Sequence, residues 1–268
     1  MSDEIRERDS LEKNFIEKEI TLDASPEEVW KALTEGEQLK NWFPLEARVT
    51  PGVGGKMFLS WGPGWEGEGE ITKWEPNKVL AWKESSGMAM MEWTIERRGG
   101  KTVLRMVQNA FADGGDWSDE YFDSLNYGWV FMLTNLRLVL EKHPTVSRDV
   151  AWPRVSAPLE REVAYRKLTA PGGLFREDSS KLQPGEIYTL TSKSGKRFTG
   201  EVQFVRAPRG FCVGVRELND ALLWLTIESG GEGKIDAQLW LSSYGIPTGS
   251  VKQFEQEWQQ RLQEILAQ

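Results

Sequence analysis

The turn "TIERRGGK", Thr94 to Lys101, is spelled again as "TIESGGEGK", Thr226 to Lys234, 132 positions later. A repeated turn constrains a fold only when its surroundings repeat in the same order, and here they do. "GEITKWEP" from Gly69 is answered by "GEVQFVRAP" from Gly200, and "FPLEARVTPG" from Phe43 by "FREDSSKLQPG" from Phe175. "VWKALT" at 29–34 resembles "VAYRKLT" at 163–169, and Trp129 with Leu133 corresponds to Trp258 with Leu262 on a late helical pattern. Gly-Gly turns recur between strands on their own, but an ordered set with offsets of 129 to 135 reads as one unit written twice. A chain of 268 residues has room for two such domains, each able to bury a core.

Each unit mixes strands and helices. "NFIEKEITLDAS" alternates, with Phe15, Glu17, Glu19 and Thr21 opposing Ile16, Lys18, Ile20 and Leu22, which suits a strand. In "SPEEVWKALT", Ser25 is placed to cap a helix, Pro26 to open it and Glu28 to complete a capping box. "EQLKNWF" predicts a second short helix, stopped by Pro44. From Ala47 to Phe111 the chain reads as strands separated by "GWEGEG", "EPNK", "ESSG" and "RRGG". Phe122, Leu125, Trp129, Met132, Leu133, Leu136 and Leu140 then fall on one face of a long helix. A long antiparallel sheet curls, and a helix laid against its concave side leaves room for a small molecule.

Charge and residue counts narrow the chemistry. Residues 1–134 hold 15 basic and 25 acidic side chains, a net of −10, whereas the remainder carries +2. No basic stripe accompanies aromatic platforms, so nucleic acid is not an expected partner. No apolar run is long enough to span a bilayer, and the charged "MSDEIRERDS" is no signal peptide, so a cytoplasmic protein is expected. Cys212 and His143 are the sole residues of their types, which excludes an internal disulfide and thiolate or multi-histidine metal clusters. No motif asks for a cofactor. "PGVGGKM" lacks phosphate-loop spacing and has Met57 where a hydroxyl should follow Lys56.

The segments "SPEEVWKALTEGEQLKNWF", "GGKMFLSW", "GEITKWEPNKVLAWKE" and "GGKTVLRMVQNAF", followed by Gly128–Trp129 in a Leu-rich helix, resemble the START-like superfamily, also called SRPBCC or helix-grip. Within it the chain is most similar to the group named after the activator of the 90-kDa heat-shock-protein ATPase. The likeness covers about residues 14–142 well and about 158–267 more faintly. It implies an α+β chain of two tandem helix-grip units, each a curved antiparallel sheet wrapped around a long C-terminal helix. The expected division is 1–142, a first domain with a ligand cavity; 143–157, a Pro-bearing linker; and 158–268, a degenerate second domain lacking a clear first strand. The family often carries a His in its last strand, where this chain has Gln108.

Alternation assigns the inner wall of the first unit. Met91 and Trp93 share a side, as do Leu104, Met106 and Gln108; Met57, Leu59, Ile71 and Trp82 extend it, and Trp129, Met132 and Leu133 face it from the helix. A filled core accounts for most of these positions. All seven methionines and nine of 13 tryptophans lie in the first half, however, and methionine adapts to irregular gaps and variable ligands. Glu66, Glu68 and Glu70 share one strand face, where a hard cation or plain solvent explains them. His143 at a helix end reads as a cap. The expectation is a non-catalytic protein that holds a small hydrophobic or amphipathic ligand in the first unit. A chaperone-ATPase-regulator-like module acting through its acidic lobe on a protein partner is the alternative, and a cyclase- or hydrolase-like enzyme the third reading.

Overall fold

The computed structural model describes residues 5–9, 15–85, 89–109, 118–231 and 233–267. The chain divides into two units, Met1–Thr145 and Val146–Gln268.

The first unit begins with β1 (Arg6–Asp9) and β2 (Phe15–Leu22), then α1 (Pro26–Thr34) and the four-residue α2 (Gly36–Leu39). Six strands follow: β3 (Glu46–Val49), β4 (Lys56–Ser60), β5 (Glu66–Glu75), β6 (Val79–Glu84), β7 (Met90–Arg98) and β8 (Lys101–Asn109). The unit closes with α3 (Asp119–Lys142). The eight strands form one antiparallel sheet in the order β1-β2-β8-β7-β6-β5-β4-β3. Local chemistry sets the first helix as expected: Ser25 Oγ accepts from Glu28 N–H, and the Glu28 carboxylate accepts from Ser25 N–H. The β2 alternation is realised, with every even residue from Ile16 to Leu22 buried, Lys18 included. The α3 stripe is wider than its periodicity shows. Phe122, Trp129, Met132, Leu133 and Leu136 are buried, but so are Tyr127, Phe131 and Asn135, while Leu125 and Leu140 are only half-buried.

The second unit holds β9 (Arg148–Ala151), β10 (Arg154–Ala157), α4 (Arg161–Thr169), β11 (Ile187–Thr191), β12 (Arg197–Arg206), β13 (Gly210–Val215), β14 (Ala221–Gly231), β15 (Lys234–Tyr244) and α5 (Thr248–Leu266). Its sheet runs β10-β15-β14-β13-β12-β11, with β9 also paired to β15. The path matches β2-β8-β7-β6-β5-β4, so the two units are helix-grip folds in tandem. Glycines mark the correspondence. A Cβ on Gly69 would meet Lys83 O at 2.7 Å, and one on Gly200 would meet Gly214 O at 1.9 Å. Each glycine precedes an irregularity in register, between Ile71 and Lys73 in one copy and between Val202 and Phe204 in the other.

Two expectations need correction, and one further difference separates the copies. Residues 143–157, read as a linker, carry β9 and β10, which pair with β15 through Ala151↔Leu241 and Val155↔Ala237. The second copy therefore has its first strand, interrupted at Trp152–Pro153. Pro153 has no N–H to give, though its carbonyl still accepts from Leu239; that interruption hides the alternation. The second short helix is also absent there: "PGGLF" replaces the stretch that contains α2, and β3 survives only as a bridge between Phe175 and Ser192. The "ESSG" turn and the strand end at Phe111 lie partly or wholly outside the described residues.

Candidate functional site

Register places the expected wall on one face of the first sheet. Trp82 is opposite Met91, Met91 opposite Gln108, and Trp93 opposite Met106. Met57, Leu59, Ile71 and Leu104 are buried with them, and Trp129, Met132 and Leu133 are buried on α3. Rings fill much of the space between. Trp93 meets Trp82 at 4.7 Å edge-on, and Phe43 stacks on Trp129 at 4.9 Å. Trp42, fully buried, stacks on Phe43 at 5.0 Å and lies 5.8 Å from Trp93, with its Nε1 donating to Ala32 O. Trp42 and Phe43 were absent from the expected wall because they sit in the chain between α2 and β3. The signal that finds Phe43 is the repeat, since its partner Phe175 packs on Trp258 at 5.4 Å as Phe43 packs on Trp129.

Polar side chains interrupt this wall, Gln108 and Lys18 among them. Gln108 Oε1 accepts from Trp129 Nε1 at 2.5 Å, a hydrogen bond that ties sheet to helix. Gln108 Nε2 has no partner among the described residues. Lys18 is 1% exposed and directly opposite Met106 on β2. Diagonal neighbours on adjacent strands stand roughly 7–8 Å apart, so Lys18 and Gln108 share one region of the wall. The wall assigned by alternation held Gln108 as its one amide and no charged residue. The buried lysine corrects that, and the alternation of β2 contained the signal, because Lys18 falls in phase with Ile16, Ile20 and Leu22.

The second unit shows what the wall looks like without these groups. Leu223, Leu225 and Ile227 face Leu241, Leu239 and Ala237 in the register of Met91, Trp93 and Ile95 with Gln108, Met106 and Leu104. Gln108 thus corresponds to Leu241. All six second-unit residues are buried in one apolar cluster with Val251, Phe254, Trp258, Leu262 and Ile265.

The remaining candidates resolve simply. Glu66, Glu68 and Glu70 are exposed, Lys56 Nζ lies 4.0 Å from Glu70, and no group able to hold a metal ion occurs among the described residues. Lys56 begins β4, so "PGVGGKM" is a turn entering a strand. His143 is the C-cap of α3, its N–H donating to Val139 O, with a buried imidazole. At the start of α3, Asn126 and Tyr127 are buried, and burial together with Glu84 pushes the Tyr121 phenol up.

Residues 23–141 match the family described as activator of Hsp90 ATPase homolog 1-like protein. The match falls within the first unit, whose fold is of the helix-grip type. No curated protein matches the chain. Among solved structures, the chain is similar to the Aha1 dimer from Colwellia psychrerythraea, 24% identical over 48% of this chain and 97% of that one, with a TM-score of 0.43. CalU16 from Micromonospora echinospora is 23% identical over 47% and 76%, with a TM-score of 0.39. DynU16, a putative protein in the dynemicin biosynthetic locus, is 18% identical over 95% and 97%, with a TM-score of 0.43. No helix among the described residues is long and apolar enough to cross a membrane.

Proposed function

We propose that the first START-like unit is a non-catalytic binding domain for a small, largely apolar molecule with a carbonyl or carboxylate end. The observation that carries this reading is the Gln108 amide. Its oxygen is engaged by Trp129, while its Nε2–H groups have no acceptor among the described residues, on a wall built mostly of Met, Trp, Leu and Ile. The side chain is largely withdrawn from water, and a ligand oxygen would give its amide nitrogen an acceptor. The methionines Met91, Met106 and Met132 adjust to the ligand's apolar body.

Prodan, an apolar naphthalene bearing one carbonyl, serves as the probe. Titrated into the full chain, it should bind saturably with a blue-shifted emission, and Gln108→Leu, which copies the second unit, should weaken binding at least tenfold. Absence of saturable binding, or binding indifferent to Gln108, would reject the reading.

A second reading is favoured by the family match over 23–141 together with the net charge of −10 in residues 1–134: a module that docks on a basic face of an ATPase. Salt-sensitive association with a purified 90-kDa chaperone, undisturbed by prodan, would support it over the first.

A further inference from the structure

The second unit carries an open cleft where the repeat lost its second short helix. Between the end of α4 and the bridge at Phe175, the chain runs Ala170-Pro171-Gly172-Gly173-Leu174, where the first unit has α2 and the Trp42 indole. The cleft there has a volume of about 520 Å³, within the usual range for small-molecule sites. Its charge is one-sided: Lys167 from α4, Arg176 after the bridge, Lys193 from the β11–β12 turn and Arg261 from α5 all line it, and no carboxylate does. Phe175 and Ile265 supply apolar surface.

The cations are not equivalent. Arg261 is fixed: its Nε and Nη2 donate to Gly173 O at 3.1 and 2.6 Å, Nη2 also to Gly172 O, and Nη1 contacts Glu264 at 3.1 Å. It holds the chain where α2 is missing and stands at the helix position that Met132 occupies in the first unit. Arg176 is aimed by a single bond from Nη2 to Lys193 O at 3.1 Å, which leaves most of its donors unused. Lys193 Nζ makes one exposed contact of 3.3 Å with Glu264. Lys167 has no ion pair or hydrogen bond among the described residues. Three cations with spare donors around one cleft, in the half of the chain with net charge +2, are a recognition surface for an anion.

We infer that this cleft binds a small organic anion, a phosphate or carboxylate joined to an aromatic ring or short acyl chain, with Lys167, Arg176 and Lys193 on the charged end and Phe175 and Ile265 under the apolar part. The inference concerns the second unit alone and stands or falls separately from the reading of Gln108.

The test uses the full chain, ¹⁵N-labelled, with phenyl phosphate, benzoate and inorganic phosphate as probes. Phenyl phosphate or benzoate should shift the amides of Gly172, Gly173 and Lys193 saturably, at least fivefold more tightly than inorganic phosphate. Lys167→Gln with Arg176→Gln should lower affinity at least tenfold, while Gln108→Leu should leave it unchanged. Raising salt from 50 to 500 mM should weaken binding. Failure to shift these amides at 10 mM probe, or affinity unchanged in the double variant, overturns the assignment. Equal affinity for inorganic phosphate removes the apolar part of the proposal. Retention on phosphatidate-containing but not phosphatidylcholine vesicles, without binding of phenyl phosphate, would replace the soluble anion with a lipid headgroup and contradict the inference.

Discussion

Replacing Gln108 by Leu introduces into the first unit the residue that the second unit has at the matching position. The substitution removes the acceptor for Trp129 Nε1, and the indole is 6% exposed, so its N–H is left with little access to water. An orphaned buried donor costs about 1–3 kcal/mol. Leucine offsets part of this, because an amide with an unmet donor is replaced by an apolar side chain whose full burial is worth about 1.5–3 kcal/mol. The single variant is therefore a poor test, since two terms of similar size oppose each other. The double-mutant cycle with Trp129→Phe separates them. The loss of indole area and the altered stacking on Phe43, 4.9 Å away, appear in both legs that change Trp129 and cancel. The remaining coupling between positions 108 and 129 should be about 1–1.5 kcal/mol, with Gln108→Leu less damaging in the Trp129→Phe background than alone. For a unit of this size that is a difference of roughly 3–6 °C in melting temperature. Near-ultraviolet circular dichroism, dominated by the nine tryptophans of the first half, follows that unit's transition within the two-unit chain. Additive effects, with coupling below about 0.3 kcal/mol, would show that the hydrogen bond does not join helix to sheet and would refute the reasoning.

Other expectations follow from local geometry. Ser25→Ala removes the N-cap of α1 and should cost about 1 kcal/mol in the first unit's melting transition; no change would mean that tertiary packing alone sets the helix start. The bonds from Ser25 hold the Glu28 carboxyl below its usual range, so its contribution is complete above the ordinary glutamate value near about 4.3 and is lost as pH falls through the lowered folded value. The melting-temperature gap between native chain and Glu28→Gln should accordingly be constant from pH 8 to about 5 and shrink in more acidic buffer. Gly200→Ala pushes a Cβ to 1.9 Å from Gly214 O, backbone that cannot step aside cheaply, and should destabilise the second unit by about 3 kcal/mol or more, visible as a lowered urea midpoint. Burial pushes the Cys212 thiol well up, so it should resist a disulfide reagent at pH 8 until urea unfolds β13; labelling of the native chain within minutes would contradict its placement.

The repeat was legible because turns and close approaches restrict residue choice at single positions. Gly69 with Gly200, and the two TIE turns, are backbone requirements that survive divergence of everything around them. Strand β2 and the alternating wall were legible because a side-chain period of two sorts buried from exposed residues without tertiary information. Strands β9 and β10 were not, since Pro153 breaks the ladder and each piece is four residues long, too short for alternation to stand out. Strand β1 has the sequence Arg-Glu-Arg-Asp, a string of charges whose strand character comes only from pairing, Arg6 opposite Glu19 and Arg8 opposite Glu17. The wall itself was readable, but its occupants from outside the sheet were not: Trp42 and Phe43 reach it from the turn after α2, which ends at Leu39 and is too short for a period to assign its inner face. The second unit's basic cleft was hidden for another reason. Lys167, Arg176, Lys193 and Arg261 are scattered over 95 positions and meet only in the folded second unit, where no counterpart of α2 stands between them.

The most direct measurement is the side-chain amide resonance of Gln108 in the ¹⁵N spectrum of the full chain, assigned by its loss in Gln108→Leu, during titration with prodan. A saturable downfield movement of its Nε2 protons, tracking the emission shift of the probe, is the predicted result. A resonance that stays fixed while prodan binds elsewhere, or fails to bind at all, would contradict a ligand site between the first sheet and its long helix.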